Sequence, residues 1–293
     1  MHRIQVLDTF PRFLRTWPGL RNQSRPKQLN GWAHAYLGPW PDLLAQQIDN
    51  YRRDRVSWRS VAQRRILPTL DGRIAAMERV HAHLVREIPW AVRRIDSLLE
   101  IDFRIRCVIY VGIGCGAGWA TTFRGSPAIL FGLENAAELD WSDSATVRAM
   151  IAHELAHLVH YRRREQAGLA PVGPARSPWW NLYDEGFATR CEMSLGSIGK
   201  SHSVDRDRDW LRWCQANRRW LARAFLRTVE ARRSTRRFFG SWYPLRGHIE
   251  TGYFLGSEVV RDWERSTSLR SIEILELPQI RRYARFSLER MAG

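Results

Sequence analysis

The stretch HELAHLVHY, residues 153–161, places a glutamate between two histidines that are four residues apart within an apolar run. The segment around it, residues 142–161, has apolar side chains at helical spacing and begins with three candidate N-cap residues, Ser142, Asp143 and Ser144. Side chains four residues apart on a helix project within about 40° of each other, one turn apart. A packed helix gains nothing from two imidazoles and a carboxylate along one edge, so the pattern indicates a function.

His153 and His157 are therefore the predicted ligands of a metal ion. Glu154 lies at the edge of the same face, where it can reach a water on the metal without being a ligand itself. This is the H-E-x-x-H arrangement of zinc hydrolases, and it predicts Zn2+ as the cofactor with Glu154 as the general base. A catalytic zinc site also needs a third protein ligand, with the fourth position left for water.

Glu185 is the predicted third ligand. It lies in the stretch DEGFATRCE, a second apolar helical segment in which an unpaired buried carboxylate would be costly and a metal-bound one would not. Asp184 and Glu192 remain alternatives for this position, and Asp184 can instead orient a ligating histidine. His160 falls near the face of the ligands but about 10 Å along the helix from His153, which predicts an outer role or a solvated side chain.

The composition is that of a soluble protein with a full hydrophobic core. The chain has 293 residues, of which 44% are hydrophobic. No apolar run approaches the roughly 18 residues that a membrane span requires, and residues 1–20 lack the apolar stretch of a signal peptide. The sequence therefore predicts a cytoplasmic protein with no membrane partner. The four cysteines form no C-x-x-C pair and are expected to be free thiols.

The formal charge of +16 comes almost entirely from arginine, since Lys27 and Lys200 are the only lysines. A GC-rich genome produces arginine in place of lysine without any functional demand. The sequence pI of about 10.8 nevertheless favours weak, non-specific binding of anionic partners.

The order of helical and strand-like segments predicts an α+β fold that is mostly α. A helical N-terminal region over residues 1–100 and a second domain over residues 101–293 are expected to form one compact unit. Residues 103–111, FRIRCVIYV, alternate like a strand with one buried face, and residues 127–133, PAILFGL, form a second short strand. The glycine-rich link between them, GIGCGAG, does not open into a helix, which argues against a dinucleotide-binding loop.

The motifs HELAH and EGFA resemble the gluzincin metallopeptidases, in which two histidines and a downstream glutamate hold zinc. The same two motifs, followed by TGYFLG at residues 251–256, resemble those of a second family in the same order. The closer resemblance is to a bacterial family of predicted zinc-dependent proteases with a domain of unknown function, and it covers about residues 104–290. It implies a zincin-like fold, with the small sheet packed on the central HExxH helix and further helices N- and C-terminal to it. The stretch FGLENAAEL, residues 131–139, is only weakly similar to the exopeptidase motif of related aminopeptidases.

The resemblance implies a zinc-dependent peptidase that hydrolyses peptide or protein substrates with a metal-activated water. Zinc would sit on the three ligands named above, and Glu154 would take the proton of the water as it attacks the carbonyl. The developing oxyanion needs a further donor, for which Tyr253 is the first candidate and His248 the second. The strand PAILFGL would bind an extended peptide by backbone pairing.

Two other hypotheses stay open. The segments RRDRVSWRSVAQRR and NRRWLARAFLRTVEARRSTRR combine arginines with Trp58 and Trp220, which would suit a nucleic-acid or anionic-surface binding protein with a structural or inactive zinc site. Such tryptophans are more often core residues, and such arginines a solvated face. The second hypothesis is a zinc protein that has lost activity, and the presence of Glu154 argues against it.

Overall fold

The computed structural model describes residues 4–53, 56–169, 177–195, 210–240 and 243–293. Over these ranges the protein is α+β and mostly helical, with a small four-stranded mixed sheet, so the predicted fold class is confirmed. The chain forms two compact units. The first comprises Met1–Trp90 and Asp102–Ile151, and the second comprises Ala91–Ile101 and Ala152–Gly293. The division predicted from the sequence, with a boundary at residue 100, stays a prediction.

The first unit contains the sheet. Its elements in chain order are β1 (Ile4–Asp8), α1 (Phe10–Thr16), α2 (Arg25–Gly31), α3 (Pro41–Arg53), α4 (Trp58–Val61), most of α5 (Leu70–Leu99), β2 (Ile105–Tyr110), β3 (Gly118–Phe123), β4 (Ser126–Gly132), α6 (Leu133–Glu138) and the start of α7 (Ser144–Gln166). Short 3-10 segments at Trp17–Gly19 and Leu67–Thr69 and π-helical segments at Trp32–Tyr36 and Ala62–Ile66 connect some of these helices.

The second unit is helical over its described residues. After the rest of α7 it contains α8 (Pro178–Ser194), α9 (Trp210–Ala216), α10 (Arg218–Glu230), α11 (Arg236–Phe239), α12 (Thr251–Trp263), α13 (Leu269–Ile272) and α14 (Leu277–Ala292). The sequence predicts one long basic helix near residues 207–231. The structure divides it into α9 and α10, and residues 207–209 lie outside the described ranges.

The strands of the sheet are arranged in the order β1-β2-β4-β3. The first three are parallel, and β3 runs antiparallel to β4. Arg124 and Gly125 join β3 to β4 with positive φ angles of 51° and 68°, as a two-residue hairpin turn requires. Because β4 is paired on both sides, it has no free edge, and the expectation that PAILFGL binds a peptide by backbone pairing is wrong.

Two features of the sheet differ from the sequence reading. Strand β2 is buried on both faces, including Val108 and Tyr110, because it is an inner strand, and its predicted half-exposed alternation is wrong. Strand β1 lies in a region that was read as helical. Its five residues, IQVLD, show no clean alternation, and Val6 is exposed on this edge strand, so the local pattern does not reveal it.

The helices predicted in the first hundred residues are present, with one change. Apolar side chains at helical spacing predict three helices here, one at PDLLAQQIDNY and one on either side of Pro89. Helix α3 matches the first, whereas the other two form the single 30-residue helix α5. A proline inside a helix removes the hydrogen bond to the carbonyl four residues earlier, here that of Val85, and Val85 is exposed to solvent. Among the described helices, none is long and apolar enough to cross a membrane.

Helices α8 and α12 are in direct backbone contact at two glycines. A Cβ atom added at Gly186 would lie 2.3 Å from the carbonyl carbon of Gly256, and one added at Gly256 would lie 2.2 Å from the carbonyl oxygen of Leu182. Packed helices with larger side chains keep their axes 8–10 Å apart, so this approach depends on glycine. The contact fixes the segment of α8 that carries Glu185 against the segment of α12 that carries Tyr253.

Substitution of Gly256 by alanine is expected to destabilise the protein by about 1–3 kcal/mol, because the added methyl group must push two backbones apart. This loss should outweigh the gain of about 1 kcal/mol in helix propensity. The matched control is Gly72→Ala in α5, where a Cβ atom would have no neighbour within 4 Å and stability should rise. Urea denaturation of the three proteins measures the difference, and equal effects of the two substitutions would contradict the packing argument.

Candidate metal centre

The candidate site is built on α7 and α8. Asp143 caps α7 by accepting hydrogen bonds from the backbone N–H groups of Ala145 and Thr146, at 2.9 and 3.1 Å, as expected of an N-cap carboxylate. Helix α8 begins with the Ser177 side chain as N-cap and a proline at its first turn. Both helices are buried over most of their length, which holds their side chains in fixed positions.

Three ligand atoms converge between the two helices. His153 Nε2 lies 3.0 Å from His157 Nε2, and Glu185 Oε2 lies 3.3 Å from the first and 3.4 Å from the second. These three residues are the group of side chains among the described residues that can hold a metal ion. Glu185 keeps 21% of its side chain exposed, whereas the histidines are almost fully buried, so the cluster is accessible from the Glu185 side.

The spacing of the three atoms fits a tetrahedral ion. Ligands at about 2.0–2.1 Å from a tetrahedral centre lie about 3.3 Å from each other. The observed distances of 3.0, 3.3 and 3.4 Å are close to this value. The sequence prediction of these three residues as a metal-binding set is thus supported by the geometry, and the site can hold a metal ion.

Two further carboxylates orient the histidines. Glu192 Oε2 lies 3.3 Å from His153 Nδ1, and Asp184 Oδ1 lies 3.3 Å from His157 Nδ1. A carboxylate accepts hydrogen bonds, so each Nδ1 carries a proton, and a metal ion bound in the cluster would take the lone pair of each Nε2. Asp184 and Glu192, which the sequence left open as alternative third ligands, contact the outer nitrogens of the histidines, and Glu185 contacts the inner ones.

The cluster attracts positive charge. Burial disfavours the imidazolium, but hydrogen bonds to Glu185 and Glu192 outweigh this effect and raise the pKa of His153 to about 9. The pKa of His157 is also raised well above its usual value, since the charges of Asp184 and Glu185 outweigh burial. Burial would raise the pKa of Glu185, but the two imidazoles lower it to about 2. A proton, or a metal ion in its place, is therefore favoured among the three ligand atoms.

The three predicted catalytic residues have different surroundings in the structure. Glu154 is largely buried and acts electrostatically on the phenols of Tyr161 and Tyr253. Tyr253 stacks its ring on that of His153, with centroids 5.9 Å apart, and hydrogen-bonds to Glu185. His248 instead stacks on Trp213 of α9, with centroids 4.0 Å apart, and its role as the alternative donor stays a prediction.

Two residues of α7 have roles that the sequence reading missed or left open. His160 is fully buried, and its Nδ1 lies 3.0 Å from Asp184 Oδ1, which excludes the solvated side chain considered from the sequence. Burial lowers the pKa of His160 despite the opposing effect of Asp184. The hydroxyl of Tyr161 donates to Asp184 Oδ2 at 2.8 Å, and its ring stacks on His157. The sequence could have indicated the role of Tyr161 through its spacing, because Tyr161 follows His157 by one helical turn and therefore lies on the same face of the helix.

Comparisons of the chain with protein-family models, with curated proteins and with solved structures found no match. No family is therefore assigned, and the resemblance to predicted zinc-dependent proteases stays a hypothesis based on the three motifs.

The division into ligands and orienting carboxylates predicts two classes of variant. Glu185→Ala removes an inner ligand and should abolish stoichiometric binding of zinc, used as the probe ion, whereas Asp184→Asn and Glu192→Gln should weaken it about 10- to 100-fold. Glu165→Ala, which removes an exposed carboxylate from the same helix as the histidines, is the control and should bind as the wild type does. Competition with a chelating dye measures the affinities. Full binding by Glu185→Ala with loss in Glu192→Gln would reverse the two roles.

Proposed function

We propose that the protein is a zinc-dependent peptidase with a zincin-like catalytic centre on α7 and α8. The observation that carries the proposal is the convergence of the His153, His157 and Glu185 ligand atoms within 3.0–3.4 Å of each other, with Glu154 next to His153 on α7. The order of the three motifs in the sequence supports the same conclusion.

Zinc is the ion that the donor set favours. Two imidazole nitrogens and one carboxylate oxygen are the ligands of many catalytic zinc sites, which keep a fourth position for water. Magnesium and calcium prefer six or more oxygen ligands, and this cluster offers only one carboxylate together with two nitrogens. A bound zinc ion would supply a Lewis acid and lower the pKa of a coordinated water towards about 7.

Glu154 has the position and chemistry of a general base. It directly follows the ligand His153 on α7, and its charge acts on the phenols of Tyr161 and Tyr253, whose rings stack on the two histidines. One of its oxygens would take a proton from the attacking water and pass it to the nitrogen of the departing amine. Glu192 and Asp184 would meanwhile keep both imidazoles in the tautomer that leaves Nε2 as the ligand.

Tyr253 is the proposed donor to the carbonyl oxygen of the substrate as that oxygen gains negative charge. Its hydroxyl already hydrogen-bonds to Glu185, and burial is the main reason that its pKa is raised well above 10, so the phenol keeps its proton. Rotation from Glu185 to a bound carbonyl would supply a hydrogen bond that forms only during the reaction. His248 remains the alternative donor.

Glu154→Gln should retain zinc and the fold but lose peptidase activity by several orders of magnitude, because an amide cannot accept the proton. Tyr253→Phe should lower kcat by about 10- to 1,000-fold with little change in KM or zinc content. The assay is digestion of a broad peptide library followed by mass spectrometry, with kinetics on the best substrate.

The controls for these variants are Glu165→Gln and Tyr243→Phe, which change exposed residues of the same types. Wild-type rates in Glu154→Gln would show that the assignment of the base is wrong. Unchanged kinetics in Tyr253→Phe together with a loss in His248→Ala would transfer the donor role to the histidine.

One observation favours a second candidate function, which is binding of single-stranded nucleic acid. Residues 210–240 contain nine arginines and a single acidic residue, Glu230. Arg219, Arg223 and Arg227 are exposed and recur every four residues on α10, so they form a row with a rise of about 6 Å per arginine. Such a row complements a chain of phosphates.

Simultaneous replacement of these three arginines by glutamate should abolish binding of a labelled oligothymidylate, measured by fluorescence anisotropy at low salt. Replacement of Arg64, Arg79 and Arg93, which are exposed elsewhere, is the control for overall charge. Equal losses in both triple variants would attribute the binding to net charge alone, and binding that resists physiological salt would contradict an electrostatic origin.

A further inference from the structure

His160 is a fully buried polar ring in aromatic surroundings. Its ring centroid lies 5.5 Å from that of Trp180, 5.1 Å from that of Tyr183 and 5.0 Å from that of Phe187, all on α8. An apolar ring would suit these surroundings better than a polar imidazole does. The choice of histidine therefore needs a reason other than packing.

The two nitrogens of His160 differ in their partners. Nδ1 lies 3.0 Å from the Asp184 carboxylate and must be its donor, which fixes the tautomer. Nε2 then carries a lone pair, and this buried atom has no hydrogen-bond partner among the described residues. An unpaired buried acceptor costs free energy that a phenyl ring would avoid. What the imidazole adds in return is the Nδ1–H bond to Asp184.

Asp184 is held by three donors on α7. His157 Nδ1 and His160 Nδ1 both contact Oδ1, at 3.3 and 3.0 Å, and the Tyr161 hydroxyl donates to Oδ2 at 2.8 Å. Contacts to both oxygens fix the plane of the carboxylate as well as its position. The same carboxylate sets the direction in which His157 presents Nε2 to the cluster.

We propose that His160 is a positioning residue of the metal centre, which acts through Asp184 to aim the His157 ligand, with Tyr161 as a second, weaker support. This inference rests on the proposed function, because it assumes that the cluster binds zinc. It gives the third histidine of HELAHLVHY a role two steps removed from the ion: His160 holds Asp184, and Asp184 holds His157.

Three substitutions separate positioning from packing. His160→Phe keeps an aromatic ring but removes the donor, His160→Asn places an amide N–H where Nδ1 lies, and His160→Gln places it nearer the position of Nε2. Zinc affinity is measured by chelator competition, the ligand field by the visible absorption of the Co2+-substituted protein, and folding by thermal unfolding of the metal-free protein. Tyr161→Phe is tested alongside.

His160→Phe is expected to leave the thermal midpoint of the metal-free protein unchanged or higher, while zinc affinity falls about 10- to 100-fold and the Co2+ spectrum shifts. His160→Asn should restore most of the affinity and His160→Gln should not, and Tyr161→Phe should lie between wild type and His160→Phe.

Wild-type zinc affinity and an unchanged Co2+ spectrum in His160→Phe would show that His160 only packs, and would overturn the inference while leaving the proposed function intact. If His160→Phe does not fold, the comparison of His160→Asn with His160→Gln decides, and equal affinities overturn the inference. Failure of the wild-type protein to bind zinc or cobalt would instead overturn the proposed function, and this inference with it.

Discussion

Three electron-pair donors meet at one largely buried point, and this convergence is the constraint on which the second unit depends. The Nε2 atoms of His153 and His157 and a carboxylate oxygen of Glu185 lie within 3.4 Å of each other. Lone pairs so close repel unless a positive charge lies between them. Burying an uncompensated charge costs several kcal/mol, so the helices can keep this arrangement only with a cation or protons in place. An ion that binds only the folded chain would also stabilise it, by about 4 kcal/mol at 1,000 times its dissociation constant.

The packing around the cluster serves to hold α8 in position. This helix contributes Asp184, Glu185 and Glu192, so a small shift along α7 would misplace the third ligand and both orienting carboxylates together. The backbone contact between Gly186 and Gly256 fixes α8 against α12 directly beside Glu185. Tyr253 lies one turn before Gly256 on α12, so the contact that positions the ligand also positions the phenol. The motifs EGFA and TGYFLG thus lie on the two helices that cross at this contact, one motif on each helix.

The sequence predicted which three side chains converge because much of that convergence follows from local geometry. Two histidines four apart on a helix share a face whatever surrounds them, and Glu185 was the acidic residue beside a glycine on a buried helix. The distinct roles of Asp184 and Glu192 depend on the register between two antiparallel helices, which neither helix specifies alone. Strand β1 was missed for a related reason, since an edge strand of five residues takes its conformation from its neighbour. Helix α5 continues through Pro89 beside the exposed Val85, although the proline has no N–H to donate to the Val85 carbonyl.

The central claim is that two imidazoles and one carboxylate hold a single zinc ion, and X-ray absorption at the zinc edge tests it most directly. Protein reconstituted with one equivalent of zinc should show two imidazole nitrogens and two oxygens at about 2.0–2.1 Å, without sulfur. A shell of six oxygens would mean that the ion is bound adventitiously at the surface. A sulfur neighbour at about 2.3 Å would mean that a cysteine, and not this cluster, holds the metal, and either result would contradict the account.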